Sequence, residues 1–102
     1  MNSNSHRAII VIGHEHPAEA TFDEAERYDE VFVIARAVPD PRDRWLVDDD
    51  RNRARALTRL TRALARLRAH GVRTFGAVGD ENAAAARNDA CALFPAAEAI
   101  LV

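Results

Sequence analysis

Four short apolar runs, separated by helical stretches, constrain this sequence more than any motif in it. Ala8-Ile9-Ile10-Val11-Ile12 ends at Gly13, and Val31-Phe32-Val33-Ile34-Ala35 continues towards Val38. Ala99-Ile100-Leu101-Val102 comes last. All three are continuous, not alternating, which is the pattern of strands buried on both faces of a parallel sheet. Residues 72–78, Val-Arg-Thr-Phe-Gly-Ala-Val, alternate and suit a place nearer a sheet edge.

The intervening spacing predicts helices over residues 17–28, 49–70 and 81–94. Pro17 stands near the start of the first. Asp48, Asp49 and Asp50 offer the second a cap and favourable charge, and Gly71 ends it. Leu57, Leu60, Leu64 and Leu67 form one apolar stripe along it. The third helix is alanine-rich, closed by Pro95, with Asp80 or Asn82 as its cap. Strict β-α alternation of this kind means an α/β fold built on a parallel sheet with right-handed crossovers. A chain of 102 residues holds one such domain, which can bury about two thirds of its unfolded surface.

Hydrophobic content of 48% with 29% charged residues excludes disorder and a disulfide scaffold. The net charge of −2 argues against a general nucleic-acid binder, and all 14 basic residues are arginine. Charge is unevenly spread: residues 1–50 carry 12 acids and 5 arginines, residues 51–102 carry 4 acids and 9 arginines. The simplest expectation is that the two halves neutralise each other inside one domain. Cys91, the one cysteine, cannot form an intramolecular disulfide, which fits a reducing cytoplasm. Its apolar spacing predicts a small buried hydrophobe. Residues 8–12 are far too few to span a bilayer, so no membrane segment is expected and the cytoplasm is the default.

Loops leaving the carboxyl ends of parallel strands are where ligands bind in this class, here residues 13–17, 39–47 and 79–82. His14-Glu15-His16 follows the first strand, and His14 and His16 are apt zinc ligands, with Asp40 and Asp80 placed to converge on them. The rival reading is a polar loop. Gly79-Asp80-Glu81-Asn82 opens a helix, and helix N-termini attract phosphate, but its two acids oppose one; capping is the better expectation. Arg55, Arg59, Arg62 and Arg66 recur opposite the leucine stripe as a solvated face or a surface for an acidic partner. With no aromatic residues interleaved, nucleic acid is not expected there. Ser3 and Ser5 are the only serines, so no serine stands on a strand-to-helix turn. An enzyme is the less favoured reading, its one candidate general base being His14.

Residues 8–13, Tyr28-Asp29-Glu30-Val31-Phe32-Val33-Ile34-Ala35 and Arg44-Trp45-Leu46-Val47-Asp48-Asp49-Asp50 follow one another in a telling order. His70-Gly71-Val72, Gly79-Asp80 and Phe94-Pro95-Ala96-Ala97-Glu98-Ala99-Ile100 complete it. The whole resembles the universal stress protein family in its short, divergent actinobacterial form. That resemblance implies a Rossmann-like three-layer sandwich of the adenine nucleotide alpha hydrolase type, with four strands in the order 3-2-1-4. It also implies a nucleotide (ATP or AMP) site at Gly13, His14, Val38, Gly79 and Asp80, joined by Asp40 from the loop after the second strand. Two departures stand out. The acidic residue usual after the first strand is replaced around Gly13-His14, and the sequence stops within the fourth strand, before the glycine-rich phosphate loop, last helix and fifth strand. ATP binding is therefore not expected. The expectation is a non-enzymatic binding or regulatory domain of stress-protein type, homodimeric through the edge strand Ala99-Ile100-Leu101-Val102. The alternative is a nucleotide- or metal-binding module using the loops after strands 1–3.

Overall fold

A computed structural model describes residues 6–39, 49–95 and 97–101. Ser3, Ser5, Asp40, Asp48 and Val102, and nearly all of the 39–47 loop, lie outside the described residues. In chain order the elements are β1 (Arg7–Ile12), α1 (Glu19–Ala25), β2 (Glu30–Arg36), α2 (Asp49–Arg68), β3 (Arg73–Gly79), α3 (Ala83–Leu93) and β4 (Ala99–Leu101). The four strands form one all-parallel sheet in the order β3-β2-β1-β4. This is the α/β architecture that the β-α alternation predicts, in the strand order that the resemblance implies.

The two central strands are β1 and β2, two of the three with continuous apolar runs. The third, β4, lies at an edge with Ile100 37% exposed, so its run is not buried on both faces. Successive side chains on a strand point to opposite faces, so such a run needs a cover on each side. Ala8, Ile10 and Ile12 of β1 join Val31, Val33 and Ala35 of β2 in a core cluster with α1 and α2. Ile9, Phe32 and Ile34 point the other way and pack with Ala86, Ala90 and Phe94 of the α3 segment. Fully burying one such Ile or Phe contributes about 1.5–3 kcal/mol, so the two-sided runs place the strongest stabilisation at the sheet centre. No helix among the described residues is long and apolar enough to cross a membrane.

The stripe on α2 is rotated from its expected position. Ala56, Leu60, Ala63 and Leu67 are buried, whereas Leu57 is 54% exposed and Leu64 only partly buried. Small Ala56 and Ala63 let the helix lie close to the sheet, and Leu57 falls on its flank. Gly71 closes α2 with φ 79°, the left-handed conformation that glycine adopts without penalty.

Two further expectations need correction. The first helix covers Glu19–Ala25, not residues 17–28, because Ala18 is extended (φ −65°, ψ 154°) and the chain leaves the helix through the tight Tyr28 N–H to Ala25 carbonyl bond at 3.0 Å. Cys91 is exposed, not buried. Ala86, Ala90 and Phe94 carry the sheet-facing side of α3, and Cys91 lies one residue, about 100° of helix, beyond Ala90. The alternating run after Gly71 forms the edge strand β3, as expected, and β4 forms the other edge.

Candidate functional site

The parallel sheet delivers the ends of β1, β2 and β3 to one edge of the domain. There the loop after β1 and Arg36, the last residue of β2, line an open cleft of about 650 Å³. Val11, Gly13, His14, Glu15, His16 and Pro17 supply much of its wall. A second cleft of about 310 Å³ is lined by Ala37, Arg53, Gly79, Asp80 and Glu81.

Arg36 stands between the two. Its Nη1 donates to the Glu81 carbonyl at 2.7 Å. Its Nη2 lies 2.7 Å from the point where a Cβ on Gly13 would stand. Glycine at position 13 therefore admits the guanidinium to the backbone at the end of β1. The main-chain anchor on the β3–α3 turn holds one end of the fork, while the other faces the β1 loop. Five fixed donors on a planar cation suit Arg36 to carboxylate or phosphoryl oxygens.

The expected site residues separate into two groups. Gly13, His14 and His16 line the larger cleft, and Gly79 and Asp80 line the smaller. Val38 is buried, 5% exposed, and lines neither; its N–H donates to the Arg36 carbonyl at 2.9 Å. Asp40 lies outside the described residues. Gly79 answers to packing: Ile34 Cδ1 sits 2.6 Å from where its Cβ would be. The α3 N-terminus is closed by its own side chains. Asn82 Oδ1 accepts from the Ala85 N–H at 3.0 Å, and Asp80 Oδ1 accepts from the Asn82 N–H at 2.8 Å. Asn82 is thus the cap, and Asp80 shapes the turn before it.

His14 and His16 are both exposed. The His16 ring packs against buried Phe22, centroids 5.3 Å apart at 38°. Among the described residues, no group of three or more His, Cys, Asp or Glu side chains is arranged to hold a metal ion.

The arginine face of α2 is not uniformly solvated. Arg62 is exposed, but Arg66 lies over the Phe22 ring, 5.2 Å from its centroid. Glu19, Phe22 and Glu26 stand at i, i+3 and i+7 along α1 and the turn after it, so one stripe presents an apolar platform between two carboxylates. Arg66 Nη2 donates to Glu19, and its Nη1 donates to Glu26 at 3.2 Å. The Glu19 hydrogen bond leads in raising the Arg66 pKa above its ordinary value. Here acidic and basic halves of the chain meet within one domain.

Arg36 and Arg53 were not among the residues the sequence singled out. Arg36 did carry a signal: it is the lone charge between Val31 and Val38, at the carboxyl end of a strand otherwise apolar. Arg53 is one of three arginines at alternate positions 51, 53 and 55, with nothing in that pattern to distinguish it. Compared with protein-family models and with curated proteins, the chain matches none.

Proposed function

We propose that this chain is a binding domain of universal-stress-like type, holding a small phosphate-bearing ligand at the carboxyl edge of its sheet. The observation that carries the reading is the placement of Arg36 against Gly13 at the cleft that residues 13–18 line. Clefts at the carboxyl ends of parallel strands are the usual ligand sites of open α/β sheets. A guanidinium fixed at one Nη by a backbone carbonyl is preorganised to receive an anion on the other.

Charge selects among such ligands. Glu15 lines the Arg36 cleft, and Asp80 and Glu81 line its neighbour beside Arg53. Three carboxylates around two guanidiniums favour a single phosphoryl group over a triphosphate. A nucleoside monophosphate such as AMP is therefore the preferred ligand, with the exposed His16 ring, backed by Phe22, as a flat surface for its base. The reading needs no turnover.

Calorimetric titration with AMP, ATP and inorganic phosphate tests this. AMP is expected to bind at least as tightly as ATP, and Arg36→Ala to weaken it by about tenfold or more.

A further inference from the structure

The large hydrophobics most exposed among the described residues lie on the edge strand β3 and on the two helices α2 and α3. Leu57 is 54% exposed, Phe75 44% and Leu93 64%. Phe75 belongs to β3 itself. Leu93 lines a groove of about 350 Å³ with Ala77, Val78 and Gly79. Leu57 lies two helical turns before Leu64, whose Cδ1 reaches 3.3 Å from the Cβ position of Gly76. Half-exposed Phe75, its ring 5.9 Å from that of Phe94, and Leu93 thus put apolar surface on the α3 face of this edge.

The backbone of the edge is open as well. Arg73 N–H donates to the Asp29 carbonyl at 3.3 Å, and the Gly79 carbonyl accepts from Ala37 N–H at 3.0 Å. In a parallel ladder that parity commits residues 73, 75, 77 and 79 to β2 and turns Thr74, Gly76 and Val78 outward. Residues 74–78, Thr-Phe-Gly-Ala-Val, contain no charge and no proline, the devices that normally protect an edge from pairing.

We propose that β3 pairs antiparallel with β3 of a second copy of this chain, about a two-fold axis at Gly76. In that register Gly76 exchanges both backbone bonds with the partner's Gly76, and Thr74 does so with the partner's Val78. The outward residues are the ones the pairing requires, so its hydrogen-bond parity is satisfied throughout. Phe75 then lies directly opposite the partner's Ala77, in the closer, non-hydrogen-bonded type of pair.

Charge selects this occupant and this direction. Arg68, bonded to Thr74 Oγ1 at 2.7 Å, and Arg73 stand at the start of the strand. Asp80 and Glu81 follow its end. An antiparallel copy brings basic and acidic ends together at both extremities; a parallel copy sets like against like. The surface is self-complementary, as a two-fold contact demands. At the other edge of the sheet, β4 spans Ala99–Leu101 among the described residues. The proposal is independent of any ligand at the Arg36 cleft.

Sedimentation of the full chain at roughly 100 μM, where even a weak interface is substantially formed, combined with hydrogen exchange, tests it. The expected result is a dimer whose Thr74, Gly76 and Val78 amides gain protection as concentration rises. Phe75→Lys, at an exposed site, should weaken association by roughly tenfold or more with the circular dichroism unchanged. A chain that stays monomeric overturns the proposal. So does a dimer in which those three amides exchange as fast as in the dilute monomer, or one that Ile100→Lys dissociates and Phe75→Lys does not.

Discussion

Arg36 occupies the space that a side chain on Gly13 would need, its Nη2 lying 2.7 Å from the ideal Cβ position. The atom in the way is the tip of a long, flexible side chain, so Gly13→Ala displaces the guanidinium without disturbing the backbone. Stability should change by no more than about 0.5 kcal/mol, as for a surface substitution. Affinity for a phosphate-bearing ligand should fall, since the fork no longer faces the cleft. Chemical denaturation and calorimetric titration of the same variant separate the two effects.

Gly76→Ala is expected to behave differently. Its Cβ would meet Leu60 Cδ1 at 2.6 Å, the Val33 carbonyl oxygen at 3.1 Å and Leu64 Cδ1 at 3.3 Å. Two leucines and a fixed backbone atom leave little room to yield. Overpacking of this kind costs about 1–3 kcal/mol, read as a lower denaturation midpoint at unchanged slope. A neutral Gly76→Ala would mean that α2 can shift off β3 freely.

Phe22 is fully buried in the α1–α2 face of the core, with Arg66 over its ring and His16 against it. Phe22→Ala should therefore cost about 3–5 kcal/mol, a large part of the stability of a domain this size. Equilibrium unfolding in urea checks the magnitude.

Arg66→Ala should lower the melting temperature more than Arg62→Ala, because Arg66 bridges Glu19 and Glu26 over Phe22 while Arg62 is exposed. The Arg66 pKa is raised, chiefly by its Glu19 hydrogen bond. A raised pKa on a cation contributes stability below the unfolded-state value and loses it only as pH climbs through the folded value. This group therefore gives no loss of stability between neutral and mildly alkaline pH. Thermal melts of the unmodified chain and both variants across that range check the ranking, and the difference made by Arg66→Ala should stay constant with pH.

How much was legible follows from which forces act locally. The runs in β1 and β2 announced a two-sided parallel sheet because burial on both faces leaves no polar alternation. Gly71 marked the end of α2 because a left-handed residue there is a local backbone demand. The rotation of the α2 stripe was not legible. Leu57 and Leu60 share the same spacing class, and only contact with Gly76 and the alanines decides which of them faces the sheet. Cys91 misled for the same reason, its apolar spacing lying one position off the buried side of α3. Arg36 escaped notice because its role depends on a glycine 23 positions earlier, which only the β1–β2 register brings beside it.

Isothermal titration of AMP into the unmodified chain and into Arg36→Ala addresses the ligand site most directly. A hydrogen bond to a charged group contributes about 1.5–3 kcal/mol, so the variant should bind roughly 10- to 150-fold more weakly while remaining folded by circular dichroism at the temperature of the titration. An unmodified chain that binds neither AMP nor phosphate, or an Arg36→Ala chain that binds AMP equally well, contradicts the assignment of this cleft.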